Sequence, residues 1–334
     1  MKKALLITVL LLLSLVSCKR IPLHDPATDV YLKLDLKLAI DVDLSADIDI
    51  AGHPDLEDKV YGKLPETVRA CFYDPETHKL VSEDFLPPEG GFIVLPAGTY
   101  DFIVYSLGTE TTQVTGMDNR GTAYAFTNPT GTKVKARSKA GDEDPSLPSE
   151  TDVIYEPDHI FVGRVNGVVI PVHPAGEEHT IVIESDMTPL LETYTFEVKN
   201  VNGAGNIQKA DVYITGQAPG KYLWDGRQSA PPVAIYFQSD IDLEKGHLFS
   251  VFNTFGKFPY VTNNVFLNVL VQTEGGGQYQ WVFDVTDQFD DPDNTGHEII
   301  IDEPVDVPDP GSNVGGFTPS VSDWNVEIIE VPLS

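Results

Sequence analysis

Basic residues are scarce in this chain. Its 334 residues carry 22 Lys and Arg against 51 Asp and Glu, a formal net charge of −29. A surface that acidic repels nucleic acid and anionic lipid, so no nucleic-acid partner is expected. Cysteine is scarcer still, with only Cys18 and Cys71. A chain whose Cys18 is modified has no second thiol for Cys71, and its stability must come from packing rather than a disulfide. Cys71 itself lies opposite Val68, Ala70 and Phe72 on a strand-like stretch and reads as a small half-buried side chain.

Other absences narrow the function. There is no Gly-x-Ser-x-Gly, no His-Glu-x-x-His, no phosphate-cradling glycine loop and no paired cysteines for a metal. The eight histidines are scattered. No acid, base and nucleophile set is visible, so the chain reads as a non-enzyme without a cofactor or small-molecule substrate. Helical periodicity appears over no useful length, and no apolar run reaches the roughly 20 residues of a membrane span.

What is present begins at the start of the chain. Lys2 and Lys3 precede an apolar run from Ala4 to Val16, and small Ser17 precedes Cys18. That is an export signal over residues 1–17. An ordinary signal peptide with an incidental Cys18 is the alternative to a lipidated one. Residues 18–29 form a short polar linker, which can reach at most ~40 Å at about 3.4 Å per residue and would hold the next domain close to a bilayer.

From Val30 to Ile50, apolar residues occupy the even positions and Lys or Asp most of the odd ones. Strict period two means strand, with one buried and one solvated face. Short strands broken by turn chemistry follow. Asp74-Pro75-Glu76-Thr77-His78 reads as a hairpin turn, as do Pro96-Ala97-Gly98 and Asn166-Gly167. Residues 128–152 lack periodicity and read as a mobile loop. Strands spaced by 8 to 12 residues argue an all-β protein of two tandem antiparallel β-sandwiches, residues 30–175 and 176–302. A Pro-rich spacer spans 303–316, and an apolar C-terminal strand spans 317–334.

Two weaker patterns remain. Asp291-Pro292-Asp293-Asn294 imitates the start of a calcium loop, with Asp302 where a bidentate Glu is expected, but strand-like flanks make an acidic turn the simpler reading. Tyr222, Trp224, Tyr236, Phe237, Phe252, Phe255, Phe258 and Tyr260 could form a sugar-stacking platform, which leaves a glycan-binding surface lipoprotein as the alternative function.

Several stretches together resemble one family. They are Leu15-Val16-Ser17-Cys18, Phe72-Tyr73-Asp74-Pro75-Glu76-Thr77 with Leu95-Pro96-Ala97-Gly98-Thr99-Tyr100, Tyr155-Glu156-Pro157-Asp158-His159, Phe252-Asn253-Thr254-Phe255-Gly256-Lys257, and Gly316-Phe317 with Pro319-Ser320-Val321 and Asp323-Trp324. The family is a Bacteroidales lipoprotein family of unassigned function, related to fimbrillin-like and fimbrial-anchor proteins. The resemblance implies lipidation at Cys18, outer-membrane attachment, and two transthyretin-like Greek-key sandwiches. It implies partners among fimbrial or other surface subunits, met through strand pairing. Phe317, Val321, Trp324, Val326, Ile328, Ile329 and Val331 are the partner-strand candidates; the alternative is that this tail closes its own second domain, pairing in cis rather than in trans. No basic cleavage site stands ready to release the first strand, so a subunit that keeps it would anchor or end a polymer. Lys19 and Arg20, rather than acids, follow the cysteine and leave open which membrane face carries the protein.

Overall fold

The structure is a computed structural model that describes residues 29–38, 54–135, 150–172, 180–259, 264–294, 297–308 and 325–329. In chain order the first strands are β1 (Asp29–Leu38), β2 (Val68–Tyr73), β3 (Leu80–Leu86), β4 (Phe92–Pro96), β5 (Gly98–Ser106), β6 (Thr112–Thr115), β7 (Tyr124–Thr127), β8 (Pro129–Lys135), β9 (Glu150–Tyr155), β10 (Phe161–Ile170) and β11 (Ile181–Pro189). They are followed by β12 (Glu192–Val198), β13 (Val201–Asn202), β14 (Ile207–Gln217), β15 (Gly220–Tyr222), β16 (Val233–Asp242), β17 (His247–Thr254), β18 (Phe266–Thr273), β19 (Gln278–Asp284), β20 (Glu298–Ile301), β21 (Val305–Asp306) and β22 (Asn325–Ile329). Two short helices, α1 (Pro54–Tyr61) and α2 (Thr286–Asp290), interrupt them. The protein is nearly all β and mostly antiparallel, as the alternating sequence requires.

One sheet has seven strands in the order β3-β2-β5-β10-β11-β1-β4. Its inner face buries Val68, Ala70, Phe72, Phe102, Val104, Ile93, Leu95 and Met187. A ten-stranded sheet runs β20-β12-β17-β16-β14-β18-β19-β22, with β9 and β8 joined to β16. Phe196, Phe237, Phe252, Leu267, Trp281 and Phe283 fill its core. A third cluster unites the halves. Cys71, Tyr73, Ile103, Tyr105 and Val162, from the outer face of the first sheet, pack with Ala125 of β7, Ala218, Leu223, Phe255 and Phe258. The three-stranded sheet β6-β7-β15 forms this seam.

Several local expectations change. Asn166-Gly167 does not reverse the chain. It makes a bulge within the single strand β10, between Val165 and Val168, with Gly167 at φ +67° and its N–H donated to Asp101 Oδ1 at 3.1 Å. A glycine in the left-handed region serves a bulge as well as a two-residue turn. Pro96-Ala97-Gly98 turns a corner rather than closing a hairpin: β4 pairs with β1, whereas β5 pairs with β2 and β10. The Tyr100 hydroxyl bonds to the Pro96 carbonyl at 3.0 Å across that corner. The stretch expected as a mobile loop over 128–152 contributes β8 and β9, paired antiparallel with Val134 opposite Thr151. A sheet margin needs no apolar face, so composition concealed it.

The pairing also crosses the expected boundary at 175/176 in both directions. Strand β11 lies beside β10 and β1 in the first sheet, and β9 runs parallel to β16 in the second. Of the long alternating segment Val30 to Ile50, the strand covers Asp29–Leu38; residues 39–53 lie outside the described residues. Helix α1 was not legible as a strand or turn; its Leu56 and Val60, four residues apart, are both buried.

Candidate functional site

Two places gather polar or unpaired groups in ways that the core does not demand. The first is the C-terminal end of the chain. Strand β22 lies at the margin of the large sheet, parallel to β19 of the same chain, with Gln280 opposite Val326 and Val282 opposite Ile328. Val326, Ile328 and Ile329 therefore belong to this strand. Phe317, Val321, Trp324 and Val331 lie outside the described residues, as does Cys18. The first strand, β1, is held on both sides, parallel to β11 and antiparallel to β4. Among the described residues the terminal strand thus has one neighbour, in its own chain, and β1 has two.

The second place is a cleft of about 720 Å³ where the two halves meet, lined by α1, residues 62–67, 106–111 and 156–159, and Asn253. The segment Glu156-Pro157-Asp158-His159 forms its floor. Glu156 accepts from Lys59 Nζ at 2.9 Å and from the Asn253 N–H at 3.0 Å. Lys59 also donates to the Val251 carbonyl at 3.3 Å, which ties α1 to β17. Burial pushes the Glu156 carboxyl above the usual carboxylate range, against the pull of Lys59 and of the Asn253 amide.

Asp158 is treated differently. Burial alone would raise its pKa, but Thr111 Oγ1 at 2.7 Å and the backbone N–H groups of Thr112 and Glu110 hold it lower. His159 Nε2 donates to the Lys59 carbonyl at 2.7 Å, since a carbonyl can only accept. That leaves Nδ1 with a lone pair, buried and without a partner. Burial holds His159 below its ordinary pKa, so the ring is neutral near pH 7. The arrangement fastens a helix, a loop and the second sheet together, with the Glu156 and Asp158 carboxylates matched to donors from other segments and His159 Nδ1 left unmatched.

Residues 57–238, more than half of the chain, match a family described as a domain of unknown function, DUF5119. The chain belongs to this family. Among curated proteins it is similar to a candidate fimbrium anchoring subunit, Fim4B, from Bacteroides ovatus, with 23% identity over 182 residues, or 54% of this chain. The match spans 49% of that relative's length, so about half of it has no counterpart in the alignment. Among solved structures, a candidate adhesin from Bacteroides ovatus superimposes with a TM-score of 0.56 at 19% identity, covering 87% of this chain and 97% of the other. The fimbrial anchor protein Mfa2 from Porphyromonas gingivalis gives a TM-score of 0.45 at 10% identity, covering 77% and 83%. The adhesin shares the fold over nearly its whole length.

The remaining expected residues are dispersed. Asp291 accepts the Asp293 N–H at 2.9 Å, and Asn294 bridges the carbonyls of Gln288 and Glu298, so the acidic turn is closed by its own hydrogen bonds. Asp302 stands after β20 beside Lys199, at 3.7 Å. Among the described residues no three His, Cys, Asp or Glu side chains gather as a metal group. Of the aromatic residues, Phe237, Phe252, Phe255 and Phe258 are buried in the cores. Trp224 is covered by Arg120, 4.2 Å above its ring, and Tyr222 by Arg227 at 4.6 Å. Tyr236 stands against Tyr213, 5.3 Å between centroids, and Tyr260 lies outside the described residues. Sequence order alone could not reveal that these ring faces are already occupied.

Proposed function

We propose that this protein is a non-enzymatic, outer-membrane lipoprotein that anchors or helps assemble a fimbrial or adhesin-like surface structure, working through β-strand pairing. Lipid on Cys18 would hold it at the membrane, since two acyl chains already give stable attachment at about 0.8 kcal/mol per buried methylene. The observation that carries the reading is the terminal strand. β22 pairs in cis at a sheet margin and, among the described residues, has β19 as its one neighbour, so main-chain hydrogen bonds on that side are what must be exchanged for it to serve another chain's sheet. The similarity to a candidate fimbrium anchoring subunit supports the same reading.

The first strand argues for an anchor rather than a repeating subunit. β1 fills the place between β11 and β4, and a chain that keeps it offers no vacant slot there. Deleting residues 317–334 and following capture of surface-assembly subunits from detergent-solubilised cells tests the proposal. Loss of capture by a truncated chain that still melts cooperatively is expected; full capture by the truncated chain would overturn it.

A further inference from the structure

The cleft beside α1 holds more polar groups than its own hydrogen bonds use. Its lining carries four carboxyl groups, Glu66, Glu110, Glu156 and Asp158, against two lysines, Lys59 and Lys63. Lys59 is committed to Glu156 and the Val251 carbonyl, and Asp158 to the Thr111 hydroxyl and the N–H groups of Glu110, Thr111 and Thr112. Glu66 and Glu110 are exposed. Among the described residues neither carboxylate has a cation within ion-pair distance. Their two segments are tied together, because the Leu107 N–H donates to the Thr67 carbonyl at 3.0 Å.

Deeper in, His159 is only 8% exposed, and its Nδ1 lone pair has no donor. A buried acceptor left unmatched costs about 1–3 kcal/mol. The ring cannot turn to find a partner. Nε2 is held by the Lys59 carbonyl, the ring stacks on Phe161 at 6.1 Å, and Gly62 packs so closely that a Cβ there would lie 2.7 Å from the His159 Cβ. The groups left over are therefore acceptors, and the rest of the lining includes Pro65, Leu107 and Pro157. An anionic ligand meets the wrong charge here, and a neutral one leaves two carboxylates unmatched. Ammonium groups joined by methylenes answer both the charge and the apolar walls.

We propose that this cleft binds a linear alkyl polyamine, with an end ammonium held by Glu66 and Glu110, methylenes against Leu107 and Pro157, and an inner N–H donated to His159 Nδ1. A volume of about 720 Å³ admits such a chain. The site uses neither β19 nor β22, so it stands apart from the strand-pairing proposal.

The probe is spermidine, titrated calorimetrically into the full chain at about 0.15 M salt, where exposed charges more than about 8 Å apart are largely screened. Saturable binding at one site is expected. Glu66→Gln with Glu110→Gln should weaken it about tenfold or more. Glu76→Gln with Glu89→Gln changes the net charge equally, at exposed positions outside the cleft, and should leave binding unchanged. Matching melting temperatures confirm that both variants fold. The depth of the site is read from the ¹⁵N resonance of His159 Nδ1, assigned by its loss in His159→Gln, which should move upfield as spermidine is added. No saturable binding, equal weakening by the two variants, or an unmoved Nδ1 resonance would overturn the proposal. So would equally tight binding of Nα-acetyl-lysine amide, because the site would then suit a lysine side chain of a partner protein rather than a free polyamine.

Discussion

Lys59 and Glu156 are 97 positions apart, and no spacing rule connects them; only the fold brings the Tyr155 to His159 stretch against α1. Glu156 is largely buried, and the Lys59 side chain is about a third exposed, at 34%. Removing one partner of a buried pair strands the other charge, which costs more than the pair contributes. Lys59→Met should therefore lower stability by about 2 kcal/mol, discounted for the exposure of the lysine. The double variant with Glu156→Gln should recover most of that loss, as read from urea midpoints. The pH dependence follows from the neighbours. His159 holds its proton less well folded than unfolded, so its contribution is complete above about pH 6.5 and is lost as the pH falls below it. Asp158, held low, loses its contribution further down, below about pH 4. Glu156 works in the opposite sense, because its raised pKa favours the protonated folded state. The melting temperature should decline between pH 7 and 5.5, and His159→Gln, which keeps a donor for the Lys59 carbonyl, should flatten that part of the curve.

At the scale of elements, the period-two alternation made most strands legible, including β2 and β3 around Asp74 to His78. Connections were less legible. Gly167 has the left-handed backbone that a two-residue turn needs, but the same conformation serves the β10 bulge, and only the partner strand decides between them. A Cβ at Gly167 meets nothing within 4 Å, so only the backbone opposes substitution. Gly167→Val should cost about 1–2 kcal/mol, and Gly167→Asn distinctly less, measured by chemical denaturation. β8 and β9 were hidden by the polar composition of a sheet margin, and α1 by its shortness. The parallel pairs β1 with β11 and β19 with β22 join distant segments, which no local pattern encodes.

At the scale of the molecule, two sandwiches share an apolar seam in which Cys71 is buried; burial pushes that thiol up to about 12 and keeps it inert. The proposal of a lipid on Cys18 predicts that Cys18→Ala shifts the protein from the membrane to the soluble fraction and abolishes palmitate labelling. An unchanged distribution would remove the anchor. The inert Cys71 also leaves room for the most direct test of the central claim, that the terminal strand leaves its own sheet to hold a partner. Gln280 and Val326 face each other in the β19–β22 register, so a chain carrying Gln280→Cys and Val326→Cys can be locked by oxidation and released by reductant. The account predicts that capture of surface subunits is lost in the oxidised protein and returns on reduction. Equal capture in both states would contradict it.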